Sequence, residues 1–182
     1  MYRTHTCNEL TKKDNGQTVT LSGWVHRRRD HGDLIFFDLR DRYGLTQIVI
    51  NPSTAKEAHS AAEGVRSEFV LKVTGVVAER PEGMRNKNMA TGEIELQVTE
   101  LEILNRSKTP PFEIDSTAEV NEEARLKYRY LDLRRDRMKN NIVFRHKFIK
   151  RLRDLMDAEN FIEVETPMLM KGTPEGSREF IV

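Results

Sequence analysis

Between Thr18 and Leu104 the chain runs in short segments that alternate apolar and polar residues, punctuated by Gly, Pro, Asn and Asp. A period of two is the signature of half-buried strands, so strand signals dominate this region. In Thr18–Val25 the side chains of Val19, Leu21 and Val25 share one face, with Gly23 suited to a bulge or tight bend. In Leu34–Arg40, Ile35, Phe37 and Leu39 point one way and Phe36, Asp38 and Arg40 the other, before the turn Asp41-Arg42-Tyr43-Gly44. Leu45–Ile50 returns and is stopped by Asn51-Pro52. Residues from Ser53 to Arg66 are alanine-rich without a β-branched run, which predicts a helix with Ser53 as its N-cap. Phe69–Glu79 and Glu93–Leu104 predict two more strands around a loop holding Pro81, Gly83 and Gly92.

Five strands with one helix between the third and fourth is the order of the OB barrel, whose open face commonly binds single-stranded nucleic acid. At this level a small barrel without a ligand stays open as the alternative. Thr109-Pro110-Pro111-Phe112 breaks regular structure, and the residues up to Glu119 read as a linker. Asn121-Glu122-Glu123 predicts a helical segment through Tyr128 and Leu131. A longer helix, Asp136–Glu159, carries Ile142, Phe148, Ile149, Leu152, Leu155 and Met156 at helical spacing. A strand from Phe161 to Thr166 is expected to end at Pro167. The text from Lys171 to Val182 leads toward another strand with no terminating signal, so the chain is expected to be a fragment of a longer protein. The expected organisation is a mainly β barrel over 1–105, a hinge over 106–135, and the truncated start of an α+β domain over 136–182.

Composition narrows the chemistry. A single cysteine, Cys7, excludes an internal disulfide framework and a four-cysteine zinc site, and neither it nor His5 has partners for a metal. No apolar run approaches the roughly 20 residues of a membrane-spanning helix, and the start resembles no signal peptide, so a cytoplasmic location is expected. Lys and Arg total 30 against 29 Asp and Glu, so any nucleic-acid footprint must be local. The dense basic run is Arg27-Arg28-Arg29. With His26 and Asp30 it mimics a kinase catalytic loop, but no glycine-rich phosphate loop or downstream asparagine supports that.

On the outward face of the second strand, Phe36 beside Asp38 and Arg40 could serve as a base-stacking platform, worth about 1–3 kcal/mol per base. A lone surface aromatic is the competing reading. Gln47 has the wrong parity to join Ile48 and Ile50 in the core, and Glu95 alternates against Ile94 and Leu96. An amide and a carboxylate beside a stacking ring can read base edges, and a carboxylate accepts the ring N–H and amino group of guanine together. Arg27, Arg28 and Arg29 would hold phosphates through guanidinium forks. Solvated charges are the plainer alternative for each of these residues.

Four separated blocks resemble bacterial-type aspartyl-tRNA synthetases: Gly23-Trp24-Val25-His26-Arg27-Arg28-Arg29-Asp30-His31-Gly32, Phe37-Asp38-Leu39-Arg40-Asp41-Arg42, Tyr128-Arg129-Tyr130-Leu131-Asp132-Leu133-Arg134-Arg135, and Thr173-Pro174-Glu175-Gly176. The resemblance implies an OB anticodon-binding domain, a hinge and the beginning of a class II catalytic domain. The activity it implies is aspartate activation by ATP with Mg²⁺ and transfer to tRNA. The related asparaginyl and lysyl enzymes are the nearest alternatives, and a free-standing single-strand-binding OB module is a further one. Asn160 to Leu169 resembles the motif whose helix, strand and proline, here Pro167, form a homodimer interface, with Asn160 where a glycine is usual. The catalytic arginines and ATP-holding motifs of the family have no counterpart here, so no complete catalytic site is expected and the isolated chain should make no adenylate. Glu175 corresponds to a loop glutamate that approaches the ammonium group of aspartate. His31 and Gly83 resemble the residues of relaxed forms that charge asparagine tRNA as well, where strict forms carry Leu and Lys.

Overall fold

A computed structural model describes residues 1–114 and 118–167. The chain divides into two compact units, Met1–Asp115 and Ser116–Val182. In the first, β1 (Thr18–His31), β2 (Leu34–Arg40), β3 (Leu45–Ile50), β4 (Val70–Glu79) and β5 (Ile94–Asn105) close into a barrel in the order β1-β2-β3-β5-β4. Helix α1 (Lys56–Glu63) lies between β3 and β4, which is the expected OB arrangement. Strand neighbours are antiparallel except β3 and β5, which meet in a short parallel contact at Ile48–Leu96 and Val49–Gln97.

The alternation seen in the sequence becomes the inside and outside of this barrel. Val19, Leu21, Val25, Ile35, Phe37, Leu39, Ile48, Leu71, Val73 and Leu96 are all buried in one core. Helix α1 packs against β5, β2 and β3 with the small side chains of Ala58 and Ala62 inward, which lets its backbone approach closely.

Two local expectations differ from the structure. β1 does not break near Gly23. It continues to His31, and its bulge falls between Val25 and Arg27. Gly23 is paired with Leu71, and a Cβ there would stand 2.3 Å from the Arg40 carbonyl oxygen, so the glycine serves the close approach of β2. Ser53 does not cap α1. The helix begins three residues later with Ala55 at the N-cap and no side-chain cap, because Asn51 Oδ1 accepts the Ser53 N–H at 2.9 Å in a turn of its own.

In the second unit α2 (Glu122–Lys127) is capped by Asn121, whose Oδ1 accepts the Glu123 N–H at 2.9 Å. α3 (Arg129–Asp132) ends on Asp132, a fully buried residue. Its carboxylate accepts from Arg129 Nη1 at 2.7 Å and Arg125 Nε at 3.2 Å, with Arg135 Nη1 3.8 Å away. α4 (Asp136–Ala158) buries none of its residues, and Ile142, Phe148, Leu152, Leu155 and Met156 are exposed. Residues 161–167 form no strand, contrary to the sequence reading, since a strand needs a ladder partner and none lies beside this segment among the described residues.

The turn after α4 explains Asn160. Its φ is +64°, its N–H donates to Asp157 O at 2.9 Å, and the Phe161 N–H donates to Met156 O at 3.0 Å. This is a Schellman motif, in which the residue past the cap is left-handed and is usually glycine or asparagine. Asn160→Ala is expected to weaken the last turn by about 1 kcal/mol, whereas Asn160→Gly should leave it intact. Amide exchange at Phe161 reports both.

Candidate nucleic-acid interface

The outer face of the barrel assembles one row of polar side chains across its strands. Arg27 pairs with Asp38 between β1 and β2, Asp38 pairs with Gln47 between β2 and β3, and Gln47 precedes the Ile48–Leu96 contact that aligns β3 with β5. Glu95 on β5 therefore stands beside Gln47, and Ala78 of β4 lies across from Glu95. Phe36, half-buried, stands on the same face two residues before Asp38.

Hydrogen bonds fix how this row is presented. Arg29 Nη2 donates to Asp38 Oδ1 at 2.6 Å and to Gln47 Oε1 at 3.2 Å. Gln47 Nε2 then donates to Glu95 Oε2 at 2.9 Å. A donor on one side and an acceptor on the other leave the Gln47 amide one orientation. Among the described residues Oε1 of Glu95 has no hydrogen-bond partner. Burial pushes the Glu95 carboxyl above its ordinary value, while the Gln47 hydrogen bond and the Arg80 cation pull it back. Two carboxylate oxygens at the edge of an aromatic shelf offer the two acceptors that guanine's N1–H and amino group require.

Gln47 and Glu95 are joined by a hydrogen bond and Phe36 lies on the same face of β2 as Asp38, although Gln47 is buried at 8% exposure, deeper than a solvent-facing strand residue would be. The arginine run divides. Arg27 is exposed, but Arg29 is engaged with Asp38 and Gln47. Arg28, expected to hold phosphates, is turned to α1 instead. Its Nη1 donates to the carbonyls of Ala62 at 3.0 Å, Glu63 at 2.7 Å and Val65 at 3.0 Å, and its Nε donates to Asp30. The helix C-terminus presents unsatisfied carbonyls and a partial negative charge, which is what a guanidinium satisfies best.

With His59 Nε2 donating to Asp33 O at 2.9 Å, Arg28 fastens the tip of the β1–β2 hairpin to α1. His31 is exposed at that tip, paired with Leu34 as the last residue of β1 rather than in a loop. Gly83 is in the β4–β5 loop at φ +94° with open space around it. Pro167 is exposed, and Glu175 lies outside the described residues. Arg80, which sequence reasoning passed over, is buried beside this row.

Arg28→Ala is expected to cost about 1–3 kcal/mol of barrel stability through its lost charged hydrogen bonds, and to leave the salt dependence of RNA binding unchanged. Arg27→Ala should leave stability alone and lower the slope of log K against log salt by about 1. Urea melts and titrations at several salt concentrations separate the two.

Comparison with known proteins agrees with this geometry. Residues 19–104 match the tRNA anticodon-type OB-fold nucleic acid binding domain, and residues 121–182 match the class II tRNA synthetases of the D, K and N group. The chain is 54% identical over 182 residues to an "Aspartate--tRNA(Asp/Asn) ligase" of Desulfatibacillum aliphaticivorans, covering 100% of this chain and 30% of that protein. A ligase of the same name from Heliobacterium modesticaldum is 56% identical over 180 residues, 99% of this chain and 30% of its own length. The chain therefore spans about 30% of the length of the curated relatives it matches. Among solved structures it resembles the asparaginyl-tRNA synthetase of Pyrococcus horikoshii, with a TM-score of 0.80 and 25% identity over 93% of this chain and 39% of that one.

Among the described residues no three His, Cys, Asp or Glu side chains could hold a metal ion together. No helix among them is long and apolar enough to cross a membrane.

Proposed function

We propose that this chain is the anticodon-reading part of an aspartate–tRNA ligase and that its barrel binds the anticodon loop of the aspartate tRNA. The row Arg29–Gln47–Glu95 beside Phe36 carries this reading, because it places a stacking surface next to two acceptors matched to guanine. Phe36 stacks on a base, Gln47 and Glu95 read base edges, and Arg27 holds phosphate. The names of the curated relatives support aspartate as the amino acid over asparagine or lysine. The class II family match over 121–182 argues against a free-standing binding module.

The whole protein would activate aspartate with ATP and Mg²⁺ in the cytoplasm, with Glu175 meeting the aspartate ammonium group. A raised KM for aspartate in Glu175→Ala is the expected result there, and an unchanged one removes the role. This chain alone is expected to give no pyrophosphate exchange above background, and measurable exchange would contradict that. Homodimerisation through the segment ending at Pro167 is supported by the exposure of Phe161, Ile162 and Val164 at 61%, 88% and 74%. Sedimentation of the whole protein should show a dimer, and a monomer would remove the interface.

His31 at the hairpin tip and Gly83 in the β4–β5 loop support relaxed reading of the third anticodon base. Aspartate and asparagine anticodons differ only there, as cytosine or uracil, and a side chain that can donate or accept beside an open glycine loop admits either pyrimidine. Hairpin RNAs with GUC and GUU loops are expected to bind the wild-type chain within about tenfold of each other, roughly 1.4 kcal/mol. A preference of about a hundredfold for GUC, roughly 2.7 kcal/mol, would contradict relaxed reading.

A further inference from the structure

An arginine on the outer face of a barrel is ordinarily solvated, yet Arg80 is 4% exposed. The β4–β5 ladder explains where it goes. Ala78 lies opposite Glu95, Glu79 opposite Ile94, and the Arg80 N–H donates to Glu93 O at 2.9 Å. Alternation puts Arg80 on the same face as Ala78 and Glu95, so Arg80 is the diagonal neighbour of Glu95, about 7–8 Å away at the backbone and within reach of a long side chain. Ala78, the residue directly opposite, is too small to fill that space. The β4–β5 loop covers the guanidinium from outside, with Met89 Sδ 3.5 Å from Nη2 and buried Thr91 tied by its hydroxyl to Leu45 O at 2.6 Å. Arg80 Nε donates to Ile94 O at 2.9 Å, gripping the residue that precedes Glu95.

We propose that Arg80 is a positioning residue for base recognition: a cation fixed beneath the interface that keeps Glu95 ionised and aimed, so that a carboxylate rather than a carboxylic acid meets the base. Arg80 acts through Glu95 and touches no RNA itself. The proposal rests on the reading of Glu95 as a base-contacting residue.

Glu95 is acted on by the neutral Gln47 on β3 and by Arg80 after β4, and Arg80 in turn by Glu95, by Asp38 on β2 and by Arg29 on β1. Asp38 and Arg29 are joined at 2.6 Å and act on Arg80 with opposite signs, so Arg80 is the cation that acts on Glu95. Burial costs Arg80 part of its own preference for the charged form, and Glu95 and Asp38 restore it. A protonated Glu95 would set an O–H against guanine's N–H donors and lose one of its two acceptor positions. Removing the cation therefore moves the loss of guanine recognition to higher pH.

The test is a carbon-13 carboxyl titration of Glu95 in this chain without RNA, for wild type, Arg80→Gln and Arg80→Lys. Glutamine keeps a donor for the Ile94 carbonyl but carries no charge, and lysine keeps the charge without the planar fork. The Glu95 midpoint should rise in Arg80→Gln and stay near wild type in Arg80→Lys. Binding of a hairpin RNA with a GUC loop should begin to weaken at a higher pH in Arg80→Gln than in wild type as pH is lowered, by the same interval that the Glu95 midpoint moves. An unmoved midpoint in Arg80→Gln would overturn the proposal, with Arg80→Met giving the same comparison should glutamine disturb the fold. A raised midpoint with an unchanged binding profile would support the charge assignment and overturn instead the base-reading role of Glu95.

Discussion

Arg40→Ala is expected to destabilise the barrel by about 3–5 kcal/mol, a large part of the 5–15 kcal/mol typical of a domain. Arg40 Nη2 donates to both oxygens of Glu68, at 2.7 and 2.8 Å, and the two side chains are 16% and 8% exposed. Arg40 Nη1 also donates to His26 Nδ1 at 2.8 Å, which holds that ring nitrogen unprotonated beside the β1 bulge. Glu68 itself sits at φ +65°, its N–H bonded to Val25 O at 2.7 Å, so the pair locks a backbone conformation that a non-glycine residue seldom adopts. Removing the cation leaves a buried carboxylate with that strain and no fork to answer it. Arg40→Met with Glu68→Gln should recover most of the loss, because no charge then remains uncompensated. Urea unfolding of the single and double variants measures both. A loss below about 1 kcal/mol in Arg40→Ala, the range of exposed pairs, would show that water reaches the pair freely.

Phe36→Ala combined with Glu95→Ala is expected to weaken binding of a GUC hairpin by about 2–6 kcal/mol. About 1–3 comes from the stacking surface and a similar amount from charge-assisted hydrogen bonds to guanine. Neither residue belongs to the core, so the fold should survive. Glu95 makes the separation of binding from stability sharp. Its carboxyl is raised in the folded barrel, first by burial, so its contribution to stability is full below the unfolded value and is lost as pH rises through the raised one. Above that raised value the barrel therefore holds Glu95 ionised against its own stability. Glu95→Gln should melt at a higher temperature than wild type at pH 7 while losing guanine preference, the opposite signs expected of a residue kept for recognition.

The alternation of residues such as Leu21, Ile35, Phe37 and Leu96 made the barrel legible in the sequence, because a period of two has one physical meaning when one face must be buried. The same parity placed Phe36, Gln47 and Glu95 on the other face. What the sequence could not show were features set by the third dimension. Arg28 and Arg29 look alike in a run of three, yet one meets the end of α1 and the other meets Asp38 and Gln47, because neighbouring residues on a strand face opposite sides. Arg80 reads as a surface residue until the loop after it folds over the ladder. Phe161–Thr166 has the composition of a strand, but a strand exists only where a partner completes its ladder.

In the function proposed for this barrel, Glu95 reads guanine from its outer face. The most direct measurement compares hairpin RNAs whose loops differ only in guanine or inosine, which lacks the amino group, bound to wild type and to Glu95→Gln in one thermodynamic cycle. Wild type is expected to prefer guanine over inosine by about 1–3 kcal/mol, and Glu95→Gln to lose most of that preference. An equal preference in the two proteins would place the guanine contact elsewhere and contradict the account.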